Sequence, residues 1–199
     1  MPEKIATKYI QTKRYCIIRL AALTAYHDDG IKGLNSNLIK NVIQLIEKKD
    51  YSVYISSESK LDNDFEKYQL KIKQTDMHHL MAYSSLLISD SQSMTVEAAI
   101  MGIPSIRFSD FAGKISVLEE LEHVYNLTIG IHTSEPDKLP FYTEQLLNDE
   151  NLKETFQNRR QKMLSEKIDV TAFLVWFIEN YPESKKIMKE NPDYQYNFR

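Results

Sequence analysis

A single cysteine, Cys16, in 199 residues excludes an internal disulfide. A reducing cytoplasm is the expected compartment. Glycine is scarce, at five residues, and none of them builds a Gly-x-Gly-x-x-Gly run, a phosphate-loop lysine motif or a Gly-x-Ser-x-Gly elbow. Nicotinamide cofactors and P-loop ATP hydrolysis are therefore disfavoured, and no cofactor is expected. An excess of positive charge is missing too: 25 Lys and Arg stand against 28 Asp and Glu, a net charge of −3, which argues against a nucleic-acid partner. The uncharged apolar run Val170–Ile178 has nine residues, where a bilayer crossing needs about 20. No transmembrane segment is expected. The opening Met1-Pro2-Glu3-Lys4 lacks the apolar stretch of a secretory signal. Length and a hydrophobic share of 42% suit one domain or at most two small ones.

What is present is an alternation of short β-rich runs with helical periodicity. Residues 1–13 are polar and carry Lys4, Lys8 and Lys13 without sustained periodicity, so they read as a lead-in. From Arg14, the runs 15–20 and 52–56 bracket a helix on which Leu38, Val42, Leu45 and Ile46 share a face. The pattern continues as strand 68–72, helix 76–84, strand 86–89, helix 93–101 and strand 105–108, then helix 117–124 and strand 127–131. Such alternation implies an α/β fold, a Rossmann-like parallel sheet with helices on both faces. Leu146, Leu147, Phe156, Met163 and the cluster Phe173, Leu174, Trp176, Phe177 and Ile178 are available to cover the sheet. The expected domain spans 14–181, and 182–199 is a polar tail expected to be mobile or docked on something else.

In an open parallel sheet, ligands collect at the carboxyl ends of the strands. The segment Ile88 to Ala99 runs from a strand through hydroxyl-rich residues into a helix closed by Gly102 and Pro104. Free N–H groups there, with Ser91, Gln92, Ser93 and Thr95, form a candidate phosphate cradle. Glu97 lies one turn inside a helix otherwise made of Met, Val, Ala and Ile. Counted from a cap at Ser93 it is one residue too late for a capping box. It could accept both hydroxyls of a ribose, or simply pair with a nearby Lys or Arg while Ser93 caps the helix. The loop after the first strand holds His27, Asp28, Gly30 and Gly33, with room for close backbone approach and an acid or base near neutral pH. Its alternative is a solvated turn. Ser57 and Glu58 end the second strand, and His78 can line the same pocket while His79 is expected at the surface. Lys114 could neutralise a diphosphate or be an ordinary surface lysine. The histidine spacing matches no zinc pattern, so no metal is expected.

Taken in order, Arg19-Leu20, His27-Asp28-x-Gly30-x-x-Gly33, Tyr54-Ile55-Ser56-Ser57-Glu58, Met77-His78 and Asp90-Ser91-Gln92-Ser93-Met94-x-x-Glu97-Ala98-Ala99-x-x-Gly102-x-Pro104 resemble the C-terminal half of the domain of unknown function 354 family. That family is grouped with GT-B glycosyltransferases and non-hydrolysing UDP-N-acetylglucosamine 2-epimerases. The resemblance covers about residues 14–150 and is most specific from Asp90 to Pro104. It implies the C-terminal domain of a GT-B fold, which holds the nucleotide sugar, and it implies that Glu97 binds the ribose. The turn Ser91-Gln92-Ser93 stands where relatives carry glycines against the diphosphate. Family members also have an N-terminal half, so residues 1–13 would be linker and a separate N-terminal domain or chain is an implied partner.

The resulting expectation is the nucleotide-sugar-binding half of a GT-B-type glycosyltransferase-like protein in surface polysaccharide biosynthesis, with a UDP-sugar as the first ligand class. The alternatives are a 2-epimerase-like protein acting on a nucleoside diphosphate sugar, and a catalytically silent binding module.

Overall fold

The structure is a computed structural model that describes residues 2–22 and 30–199. Five parallel strands, β1 (Tyr15–Leu20), β2 (Ser52–Ser57), β3 (Leu86–Ser89), β4 (Ser105–Phe108) and β5 (Ile129–Ile131), form one sheet in the order β2-β1-β3-β4-β5. Its helices are α1 (Pro2–Tyr9), α2 (Ser36–Lys48), α3 (Met77–Met81), α4 (Gln92–Met101), α5 (Ser116–His123), α6 (Lys138–Leu147) and α7 (Leu152–Glu166), followed by α8 (Val170–Glu179) and α9 (Glu183–Glu190). Among the described residues, no helix is long and apolar enough to cross a membrane.

Strand alternation sends successive side chains to opposite faces, and both faces are apolar. Cys16 and Ile18 of β1 join Ile39, Val42, Ile43 and Ile46 of α2 and Leu139 and Leu147 of α6 in one core. Tyr15 and Ile17 join Met77, Leu80 and Met81 of α3 and Met94 and Ala98 of α4 in the other. The buried face of α2 is thus set by Ile39 and Ile43 with Val42 and Ile46, while Leu38 and Leu45 only flank it.

Two expected elements differ. Residues 68–72 are not a strand: the chain makes a 3-10 turn over Asn63–Tyr68 and touches the sheet through a single bridge, Gln69 to Ile55. The exposed Lys71 and Lys73 on this stretch favour water over a further ladder. The lead-in, conversely, contains α1, because Ala6 and Ile10 bury against α3 and the Tyr9 hydroxyl donates to Asp76 at 2.8 Å.

Chain contacts divide at Arg160 and Gln161 into two compact units. In the second, Trp176 stacks on Tyr194 with ring centroids 4.8 Å apart, and Phe198 packs against both Phe173 and Trp176. The aromatic cluster of α8 therefore finds partners in the polar tail, where α9 and a 3-10 turn over Pro192–Phe198 are formed.

The element that matters most for the site is α4. Ser91 caps it, its Oγ accepting from the Met94 N–H, so the cap falls two residues earlier than the sequence pattern places it. Gly102 ends it in the left-handed region at φ 68°, where a side chain is disfavoured. Gln157 donates to the carbonyls of Met101 and Gly102, and Arg160 to that of Ile100. With Ala98 and Ala99 wholly buried, the helix lies close on the sheet and both of its ends are tied down.

Candidate functional site: a cleft at the strand tips

Strand order reverses between β1 and β3, and an open parallel sheet presents its crevice at the carboxyl ends of such a pair. A cleft of about 610 Å³ lies there, on the side of the sheet that α3 and α4 cover. Arg19 from β1, Ser56 and Ser57 from β2, Met77 and His78 from α3, and Met94 and Glu97 from α4 all line it, with Glu58, Gln69 and Gln74 at its walls.

Glu97 faces this space with its side chain 38% exposed. Its Oε2 lies 2.9 Å from His78 Nε2, a histidine where the sequence alternative expected a Lys or Arg, and the pair stands on the wall of an open cleft. With His78 itself 56% exposed, water screens the interaction. Among the described residues only Oε2 is engaged, so the other carboxylate oxygen can face a ligand.

Arg19 is the cation that the sequence reading did not single out. It projects from β1 between two core residues, and its guanidinium donates to Ser56 Oγ at 2.7 Å and to Glu58 Oε1 at 2.5 Å. Glu58 turns its other oxygen to the Ala22 N–H. Its place at a strand tip beside paired hydroxyls was the available signal.

The remaining candidates are placed differently. Ser91, beyond capping α4, approaches Ser93 Oγ at 3.4 Å, and Thr95 is wholly buried with its hydroxyl on the Ser91 carbonyl. Gln92 is committed on both sides of its amide: Oε1 accepts from Arg107 at 2.8 Å, while Nε2 donates to Ser109 Oγ and the Asp90 carbonyl. These three build the mouth of α4 and leave Ser93 as its exposed hydroxyl, but none of the four lines the cleft, which α4 reaches through Met94 and Glu97. Lys114 is exposed and does not line the cleft. Gly30 is exposed with φ 74°, and His79 is half-buried. His27 and Asp28 lie outside the described residues.

Beneath the mouth, Arg107 is fully buried. Burial depresses its pKa, partly offset by Glu122 and Glu119 of α5, whose carboxylates stand 3.9 and 3.8 Å from Nη2. Burial likewise raises Glu122, against the opposing bond from the Gly130 N–H. Glu119, Glu122 and His123 also bring ligand atoms within 4.8 Å of one another. A guanidinium already faces two of those three groups, and that cation opposes a metal ion at the same place.

Neither a family model nor a curated protein matches the sequence. Solved structures do match. CalG4, the calicheamicin glycosyltransferase, aligns with TM-score 0.54 at 13% identity over 85% of this chain and 44% of its own. The wall teichoic acid polymerase TagF aligns with TM-score 0.50 at 17% identity over 81% of this chain and 41% of its own. The chain spans less than half the length of these proteins. The likeness shows the fold, the Rossmann-like α/β arrangement of GT-B glycosyltransferase neighbours.

Proposed function

We propose that the chain is the nucleotide-sugar-binding half of a GT-B-type glycosyltransferase-like protein. The observation that carries this reading is the 610 Å³ cleft at the β1 and β3 tips, which an acid, Glu97, and a cation, Arg19, line together with serine hydroxyls. A ribose presents two adjacent hydroxyl donors, which a carboxylate accepts, and charge-assisted bonds of that kind are worth about 1.5–3 kcal/mol each. A diphosphate presents the opposite charge. The N-terminus of α4, next to the cleft though not lining it, has a positive dipole end, and Arg19, now bonded to Ser56 and Glu58, would turn its guanidinium to the phosphates.

In sugar transfer the nucleoside diphosphate leaves with growing negative charge. Donors held in place before the reaction stabilise that charge without reorganising. Arg19 and the mouth of α4 would do this here, with His78 and Ser57 at the cleft wall contacting the sugar-phosphate. The acceptor base would come from an N-terminal half. The likeness to TagF, a wall teichoic acid polymerase, makes a surface polymer the first acceptor class to test, and the lone, buried Cys16 suits a cytoplasmic setting.

Melting curves with UDP, CDP, GDP and ADP test the reading. One of the four is expected to raise the melting temperature clearly above the others, with a rise that grows with ligand concentration. No rise with any of the four would count against it.

A further inference from the structure

Asp90 follows β3 directly and is 3% exposed. Both of its carboxylate oxygens are used by backbone: Oδ1 accepts from the Ala21 N–H at 2.7 Å, and Oδ2 accepts from the Leu34 N–H at 3.3 Å. Ala21 opens the connection from β1 to α2, and Leu34 closes it just before the helix cap Asn35. A single buried side chain thus holds the two feet of one connection, at the point where the strand order reverses. The neighbouring Ala22 N–H is held by Glu58, which also holds Arg19. The stretch from Arg19 to Ala22 is therefore pinned from β3 by Asp90 and from the end of β2 by Glu58.

We propose that Asp90 is a positioning residue for the nucleotide cleft, fastening both feet of the β1–α2 connection to the tip of β3 so that Arg19 is presented to the ligand. This rests on the nucleotide reading of the cleft. Asp90 does not line the 610 Å³ cleft. It faces a separate hollow of about 310 Å³ on the α2 side, which it shares with Ser57, Lys60 and Asp62. Its influence on a ligand passes through backbone.

The arrangement has a titration signature. Burial raises the Asp90 pKa to about 6, opposed by the bonds from Ala21 and Leu34, and Glu58 adds a like charge nearby. The carboxyl group of the folded protein therefore takes up its proton around pH 6, above the ordinary carboxylate value near 4. As it does so, one oxygen becomes a hydroxyl and one of the two amides loses its acceptor.

The test follows the amide protons of Ala21 and Leu34 by NMR, and titrates wild type and Asp90→Asn with UDP, CDP, GDP and ADP at pH 7.5. Both amides are expected to titrate with one shared midpoint near 6 in the wild type, and the titration should vanish in Asp90→Asn. The asparagine variant, which turns an N–H toward the Leu34 N–H, is expected to bind nucleotide about 5- to 10-fold more weakly. Its Arg19 resonance should shift although no ligand contact has been removed. Two amides that titrate separately or not at all, or an asparagine variant that binds as the wild type does, would overturn the proposal. Should Asp90→Asn fail to fold, the wild-type amide titration decides alone. If the wild type binds none of the four nucleotides, the reading of the cleft falls, while the shared midpoint still decides whether Asp90 fastens the connection.

Discussion

Replacing Gly130 by alanine is expected to destabilise the fold by about 3 kcal/mol, the scale set by breaking a buried ion pair. Gly130 sits in β5 directly over the Arg107 site. A Cβ there would lie 3.0 Å from Arg107 Nη2 and 3.3 Å from Glu122 Cδ, and closer still to the carboxylate oxygen that its own N–H binds. Arg107 Nη2 has no route to water, and the Glu122 carboxylate, with its side chain 17% exposed, can move only by giving up its place beside the guanidinium. Arg107 is fully buried, and Glu122 is held by both the strand and the guanidinium. The methyl group must push Glu122 aside, which takes one of two carboxylates from beside the buried guanidinium and leaves it Glu119 at 3.8 Å and its neutral acceptors, Gln92 and the Phe111 carbonyl. Urea unfolding measures the loss. The mechanism is checked by repeating the substitution in a Glu122→Ala background, where the alanine at Gly130 should cost much less, because the group it displaces is already gone. Equal costs in the two backgrounds would place the strain elsewhere.

Glu97→Ala is expected to weaken nucleotide binding by about 100-fold or more, from two charge-assisted hydroxyl bonds lost together. Stability should barely move. Among the described residues Glu97 pairs with His78, and a half-exposed pair of this kind contributes at most about 1 kcal/mol. Glu97→Gln should fall between, since its amide oxygen still accepts one hydroxyl. Calorimetric titration with the best of the four nucleoside diphosphates separates the three proteins, and thermal melts without ligand confirm that they fold alike. An alanine variant that binds as tightly as the wild type would remove Glu97 from the site.

These two residues show what the sequence can and cannot reveal. Glu97 stands out because an acid inside a run of Met, Val and Ala contradicts its neighbours, and a local contradiction is visible in a local pattern. Gly130 and Arg107 carry no such mark, since their meaning comes from α5 meeting β4 and β5. Gln92 looked like a ligand group for the same reason. Nothing near it announces that Arg107, 15 residues later, occupies its amide oxygen. Asp90 belonged to the most specific stretch of the chain, yet its partners lie 69 and 56 residues away. The alternation of strands and helices was legible because burial on both faces of a parallel sheet imposes it residue by residue. Residues 68–72 imitate that alternation with Tyr68, Leu70 and Ile72, but pairing stops at one bridge. Helix α1 escaped notice because eight residues with one buried anchor, Ala6, and a second, Ile10, just past the end make too short a period to see.

The claim on which the rest depends is that a nucleoside diphosphate sits between Glu97 and Arg19. The most direct measurement is an NMR titration of the intact chain with whichever of the four nucleotides stabilises it most. Saturable shifts are predicted at Arg19, Ser56, Ser57, His78, Met94 and Glu97. Shifts that leave these residues untouched, or that gather instead around Asn126 and Arg159 in the roughly 400 Å³ hollow between α6 and α7, would contradict it.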